Sequence, residues 1–474
     1  MNVTVGTSQL NLAAVAELCG GVLVGPNQPL TGLSTDSRSV FKDAMFLAIR
    51  GERADGHAFI RKAMENGCSS VLCERLPQDF EGSAVVVPNT VKALGILASF
   101  VHASKKRKTV AVTGSVGKTT TKDCICAVLE KSYATEKTQE NHNSNIGMPM
   151  DLLAMRDLTQ AAVLEMGMNA LGEIEEMSDM VHPDVAVITN IGSSHVGLLG
   201  SRENICKAKL EIVHGMSGGT LLLNGDEPLL SAYRNSDLQV MRVGIRGNNL
   251  DYRAVNLRYE ADRTTMDLYT PHGIVRDLTV DVLGDAGVWA MMNAFAVGDL
   301  LGVKENKIRE GLKNRAKAPL RQDVHSFADL LIMEDCYNAS PESMKGAVDI
   351  LNILRNTRSA GRKVAVLGDM YELGDMAPVL HREVGRYLCK KVDELYTIGS
   401  LGAEIARGAM EAGFDRSHIH VNPDVKDNEA TGRAVVQGLT RNDVVLFKAS
   451  RGVNAEEIVK YVENHYRTEY SWIS

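Results

Sequence analysis

Apolar and polar positions along the chain change period several times, and each change marks an element. Leu10, Ala13, Ala14 and Leu18 recur at helical spacing after Ser8, a residue able to cap a helix, and Gly20-Gly21 stops it. Apolar runs at 45–49, 70–73 and 84–87 predict strands, with a helix over 59–66 among them. Together these predict a small α/β unit, 1–104. A second unit, 105–317, opens on a strand at 109–112 and continues with strands at 162–164, 185–189 and 220–223, separated by helical stretches. That alternation predicts parallel strands joined by helices. Residues 252–280 alternate more strictly around Pro271-His272-Gly273, which predicts an antiparallel patch, and a helix carrying Met292, Ala296 and Leu300 closes the unit. The third unit, 318–474, starts near Ala318-Pro319 and predicts another doubly wound sheet from strands at 330–333, 364–367, 394–398 and 444–447. The expected fold is α/β in three domains: a parallel-sheet centre, a small N-terminal unit and a Rossmann-like C-terminal unit.

Composition narrows the function classes. The 474 residues are 44% hydrophobic and 23% charged, which is ordinary for globular chains. A formal net charge of −7 supplies no field for nucleic acid or an anionic membrane. The short basic run Lys105 to Lys108 reads as a solvated linker. Eight cysteines occur without a Cys-x-x-Cys pair, so reduced thiols in a cytoplasmic protein are expected. The N-terminus has no signal-peptide pattern, and the apolar stretch 288–303 is interrupted by Asn293 and Asp299, so no membrane insertion is expected.

Candidate chemistry enters with Thr113-Gly114-Ser115-Val116-Gly117-Lys118-Thr119-Thr120, which follows a strand and precedes a helical stretch. Gly114 and Gly117 let backbone N–H groups close around phosphate oxygens, and a helix N-terminus adds a favourable dipole. Lys118 is placed to reach the β- and γ-phosphates and the Thr119 hydroxyl to ligate Mg²⁺. Val112 stands where the general motif has its first glycine. A tight turn with an incidental lysine is the bland alternative, but Gly-Lys-Thr-Thr at a strand end points to nucleotide binding. A guanine-reading Asn-Lys-x-Asp is absent, since Ile308-Arg309 follows Asn306-Lys307.

Four further stretches, in order and spacing, resemble the Mur ligase family. They are Asn141-His142-Asn143-Ser144-Asn145-Ile146-Gly147-Met148-Pro149, Glu165-Met166-Gly167-Met168-Asn169, Asn190-Ile191-Gly192-Ser193-Ser194-His195 and Lys207-Ala208-Lys209-Leu210-Glu211. In the third unit, 335–344 and 368–374 resemble the branch that joins D-alanyl-D-alanine to UDP-N-acetylmuramoyl-tripeptide. In the first, 35–38 and 55–59 are similar to a uridine-diphosphate-sugar docking region. The resemblance implies an amide-forming reaction through an acyl phosphate, with ATP converted to ADP and phosphate in a monomeric enzyme.

By the resemblance, Lys118, Lys209, His195 and Glu165 are catalytic. Thr119 and Glu165 hold one Mg²⁺, and His195 with Lys209 (as a carbamate) serves a second. Gly114, Ser115, Val116, Gly117, Lys118, Thr119 and Thr120 cradle ATP, with Asn293 and Asn338 near the base, Asp335 at the ribose and Arg321 near the phosphates. Ser34, Thr35, Ser37, Arg38, Asp55, His57, Asn141 and Asn143 are expected on the donor-substrate side. Lys448, Ser450 and Arg451 are expected to receive the dipeptide carboxylate, and His381 fits a further family position, where an exposed helix histidine is the alternative. Taken singly, a surface lysine, a helix cap and a satisfied loop histidine are the plainer readings of Lys209, Glu165 and His195. A shared strand edge reverses that preference.

Four positions depart from the family pattern. Trp289 stands where a histidine is usual and offers a larger stacking face, Leu320 and Ala449 replace glycines, and Gly197 replaces an acidic residue. A non-catalytic, nucleotide-gated binding protein on the same scaffold is the rival from another class. It predicts loss of the phosphate and metal groups, which are retained. A ligase with a different amino-acid or depsipeptide acceptor is the second rival.

Overall fold

The computed structural model describes residues 1–6, 10–51, 54–139, 141–313 and 320–470. Among them three sheets form, of six, nine and six strands. Ser8 and the junction at Ala318-Pro319 lie outside the described residues. The first helix, Leu12–Leu18, is capped by Asn11, whose side chain accepts from the Ala14 N–H.

In the central sheet, Ala161–Glu165, Lys108–Thr113, Val185–Ile188 and Thr220–Asn224 lie side by side and parallel. Val110, Ala111 and Val112 are fully buried, as are Val163 and Leu164. Continuous apolar runs are what strands covered on both faces require. The register sets Val112 opposite Glu165 and Thr113 opposite Ile188, so three strand ends open at one edge. The expected antiparallel patch forms as Tyr252–Tyr259, Thr264–Thr270 and Gly273–Val280, joined to the parallel part through Gln239–Gly244.

Several edge strands escape the apolar pattern: Asn2–Thr4, Val22–Val24, Thr135–Lys137, Asp323–Phe327 and Ile419–Asn422. They are short and for the most part incompletely buried, so neither length nor periodicity distinguishes them.

One continuous core joins the N-terminal sheet to the central one, running from Leu12, Leu94 and Val101 to Met148, Leu153 and Ile188. Gly6 N–H bonds Leu153 O across this join at 2.8 Å. Two further clusters surround the C-terminal sheet, and the larger of them takes in Leu283 of the central unit. No helix among the described residues is long and apolar enough to cross a membrane.

Candidate functional site

The phosphate loop leaves the strand Lys108–Thr113 and enters the helix Lys118–Leu129. Gly114 has φ +150°, and a Cβ there would lie 1.8 Å from Thr189 Oγ1, so only glycine fits. The first bond of the helix start runs from Thr121 N–H to Gly117 O, which leaves the N–H groups of Lys118, Thr119 and Thr120 without helical acceptors. Ser115 and Val116 N–H instead bond Asn190 Oδ1, at 3.1 and 2.8 Å. Asn190 is thus a loop-shaping residue, a role that the stretch it opens does not reveal because its partners lie on another strand end.

Glu165 closes the neighbouring strand and is buried. Its Oε2 accepts from Thr119 Oγ1 at 2.9 Å and stands 3.5 Å from Lys122 Nζ. Its Oε1 accepts from Asn143 Nδ2 at 2.9 Å. Asn143, expected beside the donor substrate, therefore orients Glu165, while Asn141 is exposed. Lys122, which was not expected here, lies on the buried face of the helix and also donates to Thr138 O.

Lys118 Nζ donates to Gly114 O at 2.9 Å. Burial pushes its amine down, with Glu165 pulling the other way. Lys209 is 2% exposed, and its amine has no hydrogen bond or ion pair among the described residues. Burial, then the Lys118 charge, hold it well below the usual lysine range. Burial and the two lysines likewise push the His195 imidazole down to about 4, leaving it neutral and able to ligate a metal. Among the described residues no group of three or more His, Cys, Asp or Glu forms a ready metal cage. The donors present suit Mg²⁺ all the same, because that ion binds through one or two protein oxygens, phosphates and water. A buried amine without a counter-ion also suits carbamate formation.

On the C-terminal side three of the expected residues are buried and engaged within the fold. Lys448 is not open to a carboxylate; it is buried, with Nζ 2.6 Å from Asp335 Oδ2 and 2.9 Å from Asn338 O. Ser450 is buried and accepts from Tyr371 N–H. His381 is fully buried, accepting from Met370 N–H and donating to Ala377 O, so it is no exposed helix histidine. Arg451 alone of the expected acceptor group is exposed, with Glu456 at 2.7 Å. Arg321 stacks over Tyr337 at 4.0 Å. Asn293 is buried with Oδ1 unpartnered, an acceptor suited to an adenine amine. Trp289 ties its indole N–H to Asp226 Oδ2.

One of the departures has a local cause, and a second runs against the local backbone. Gly197 touches Gly374 of the C-terminal unit, and a Cβ would meet its N at 2.5 Å, so no acidic side chain fits. Leu320 has φ +58°, the conformation glycine adopts freely. In the N-terminal unit Thr35 bonds the chain's terminal amine, and Arg38 is exposed and paired with Asp36. Ser34 and Ser37 are buried. His57 does not face solvent; Asp55 Oδ1 and Glu74 N–H hold its two ring nitrogens at 2.6 and 2.9 Å.

Three parallel strand ends, a glycine loop and an acid–hydroxyl pair define a nucleotide-using α/β enzyme. Family models match three consecutive segments: the catalytic domain of the Mur ligase family at 29–107, the Mur ligase middle domain at 112–298 and the glutamate ligase domain at 321–451. The chain belongs to the Mur ligase family. It is 40% identical to the UDP-N-acetylmuramoyl-tripeptide–D-alanyl-D-alanine ligase of Bacillus subtilis, over 94% of this chain and 96% of that one. Its identity to the Escherichia coli protein of that name is 29%, covering 96% and 99%. The fold matches a crystal structure of MurF from Acinetobacter baumannii with TM-score 0.88 and 30% identity, over 98% and 99% of the chains. It also matches Thermotoga maritima MurF ligase in complex with ADP, with TM-score 0.81 and 28% identity, over 92% and 98%.

Proposed function

We propose that this protein joins D-alanyl-D-alanine to UDP-N-acetylmuramoyl-tripeptide, using ATP and releasing ADP and phosphate. The observation that carries the reading is the meeting at one sheet edge of the phosphate loop, the Thr119–Glu165 pair and two buried lysines. In this reading 1–104 docks the uridine-diphosphate sugar, with Thr35 and Arg38 on its outer edge. Residues 105–317 hold ATP, and 318–474 receive the dipeptide near Arg451. The protein acts in the cytoplasm as a monomer.

The donor carboxylate attacks the γ-phosphorus, forming an acyl phosphate and releasing ADP. The dipeptide amine then attacks the acyl carbon and phosphate leaves. Like charges about 4 Å apart repel by roughly 4 kcal/mol at an effective dielectric near 20, so the first step needs positive charge close by. Thr119 and Glu165 would hold one Mg²⁺ and His195 with a Lys209 carbamate a second, and these ions would supply Lewis-acid charge neutralisation when bound. Lys118 swings from Gly114 O toward the terminal phosphate. Neutral Lys209 adds CO₂ at Nζ and loses a proton, turning a repelling ammonium into an anionic ligand. Asn143 and Lys122 hold the Glu165 carboxylate aimed at Thr119.

The test is phosphate release with the tripeptide nucleotide, D-alanyl-D-alanine and ATP, omitting each in turn and replacing the dipeptide by single amino acids or D-alanyl-D-lactate. Steady release should require all three and prefer the dipeptide. Turnover that ignores the tripeptide nucleotide, or prefers another acceptor, would overturn the reading.

A further inference from the structure

Three alternate residues of the loop after strand Val185–Ile188 meet the C-terminal unit. Ser193 donates through its N–H and its hydroxyl to Glu342 Oε1, at 2.9 and 2.8 Å. His195 Nδ1 stands 3.2 Å from Glu372 Oε2. Gly197 rests against the backbone of Gly374. Glu342 lies in the first turn of the helix Pro341–Asn356, whose start is fixed by a capping box of Ser340 and Ser343. Glu372 sits on the loop between strand Lys363–Gly368 and helix Ala377–Leu388, and Met370 and Tyr371 just before it are anchored on His381 and Ser450.

Both partners of the second contact hold left-handed backbone, φ +66° at His195 and +65° at Glu372. That conformation costs a non-glycine residue about 1 kcal/mol or more, so surrounding contacts must enforce it. His195 Nδ1 is buried and makes no well-aligned hydrogen bond within the described residues, which leaves Glu372 as the carboxylate facing it. A histidine that binds metal through one ring nitrogen generally has the other fixed by a carboxylate or carbonyl.

We infer that Glu372 is a positioning residue for His195, supplied by the C-terminal unit, while Glu342 clamps the same loop through Ser193. The inference rests on the assignment of His195 to the metal in the proposed function. It adds that this histidine is set for its ligand only while the C-terminal unit is docked, so docking and metal affinity are linked reciprocally.

The experiment measures Mn²⁺ binding by electron paramagnetic resonance on the full-length protein with saturating ADP. The Glu372 side chain is 55% exposed, so truncating it leaves the core intact. Glu372→Ala should weaken Mn²⁺ about tenfold, the usual size for loss of such a partner. Glu372→Gln, which keeps an acceptor oxygen, should stay within about threefold of wild type. ADP affinity without divalent ion should not change. In a His195→Ala background Glu372→Ala should add nothing, because the two act as one unit. An effect of about threefold or less from Glu372→Ala, or a full effect persisting without His195, overturns the inference alone. Wild-type protein that takes up no Mn²⁺ overturns the metal assignment, and the inference with it.

Discussion

At the scale of single residues the site is governed by which buried charges are paired. Lys448 and Asp335 form a closed pair, and removing one member of such a pair generally costs about 3–5 kcal/mol because the other is left uncompensated. Lys209 is equally buried, yet its amine has no partner among the described residues, and that contrast is the argument for chemistry at Lys209 and for architecture at Lys448. Lys209→Ala is therefore expected to lower kcat by roughly 100-fold or more, as loss of a transition-state charge group does. Added short carboxylates should restore part of that activity by filling the space of the carbamate. Steady-state ADP release with and without acetate checks this, and wild-type rates in Lys209→Ala without any carboxylate would remove the carbamate from the mechanism. Lys118 and Thr119 were legible from spacing alone, because a phosphate loop is a local device, whereas Glu165 was expected only through the family resemblance. Asn143 against Glu165 and Lys448 against Asp335 join residues 22 and 113 positions apart, and nothing in the neighbouring sequence specifies either partner.

At the scale of elements, the strands that read clearly were those buried on both faces. The runs around Val110, Val163, Val187 and Leu446 are apolar throughout and fully buried. Most of the missed strands are short edge pieces such as Asp323–Phe327, stabilised by pairing with a neighbour rather than by their own burial, while Gly32–Ser34 and Gln239–Gly244 are interior strands that also escaped the pattern. The same distinction governs the loop 190–197. Its Asn-Ile-Gly-Ser-Ser-His string suggested a ligand-binding strand end, but its contact with the C-terminal unit depends on Gly197, which reads alone as an unexplained loss of an acid. Restoring that acid tests the packing argument. In Gly197→Asp the new Cβ would overlap backbone atoms of Leu373 and Gly374, which cannot move as a side-chain tip would. The expected outcome is a C-terminal unit displaced from the loop, seen as a larger radius of gyration in X-ray scattering. ADP affinity should fall about tenfold or more, because the groups expected at the ribose and phosphates, Asp335 and Arg321, travel with that unit. An unchanged scattering profile would show that the seam tolerates the side chain.

At the scale of the whole molecule, the three units are not equivalent in their independence. The helix Thr90–Ala103 buries Leu94, Leu97 and Val101 in a core that continues into the central unit, where it packs on the helix Gly147–Ala154. Exposing three such side chains costs roughly 5 kcal/mol, comparable to the entire net stability of a small domain. The C-terminal unit builds two cores around its own sheet and meets the centre through the polar seam at Ser193, His195 and Gly197 and through an apolar contact in which Leu283, Val196 and Tyr259 of the centre join the larger of those cores. A fragment spanning 320–470 should consequently fold alone, with a cooperative thermal transition by circular dichroism. A fragment spanning 1–104 should show none, or one lowered by more than about 10 °C relative to the full chain, the shift expected when several kcal/mol are lost from a domain of that size. Cooperative melting of both fragments at the temperature of the intact protein would mean that the shared core adds little. Should the asymmetry hold, the N-terminal and central units form one rigid platform for the nucleotide sugar and ATP, and the C-terminal unit is the part free to move between docking and release. Glu342 and Glu372 then lie where that motion meets the metal-facing histidine, so product departure and loosening of His195 become a single event.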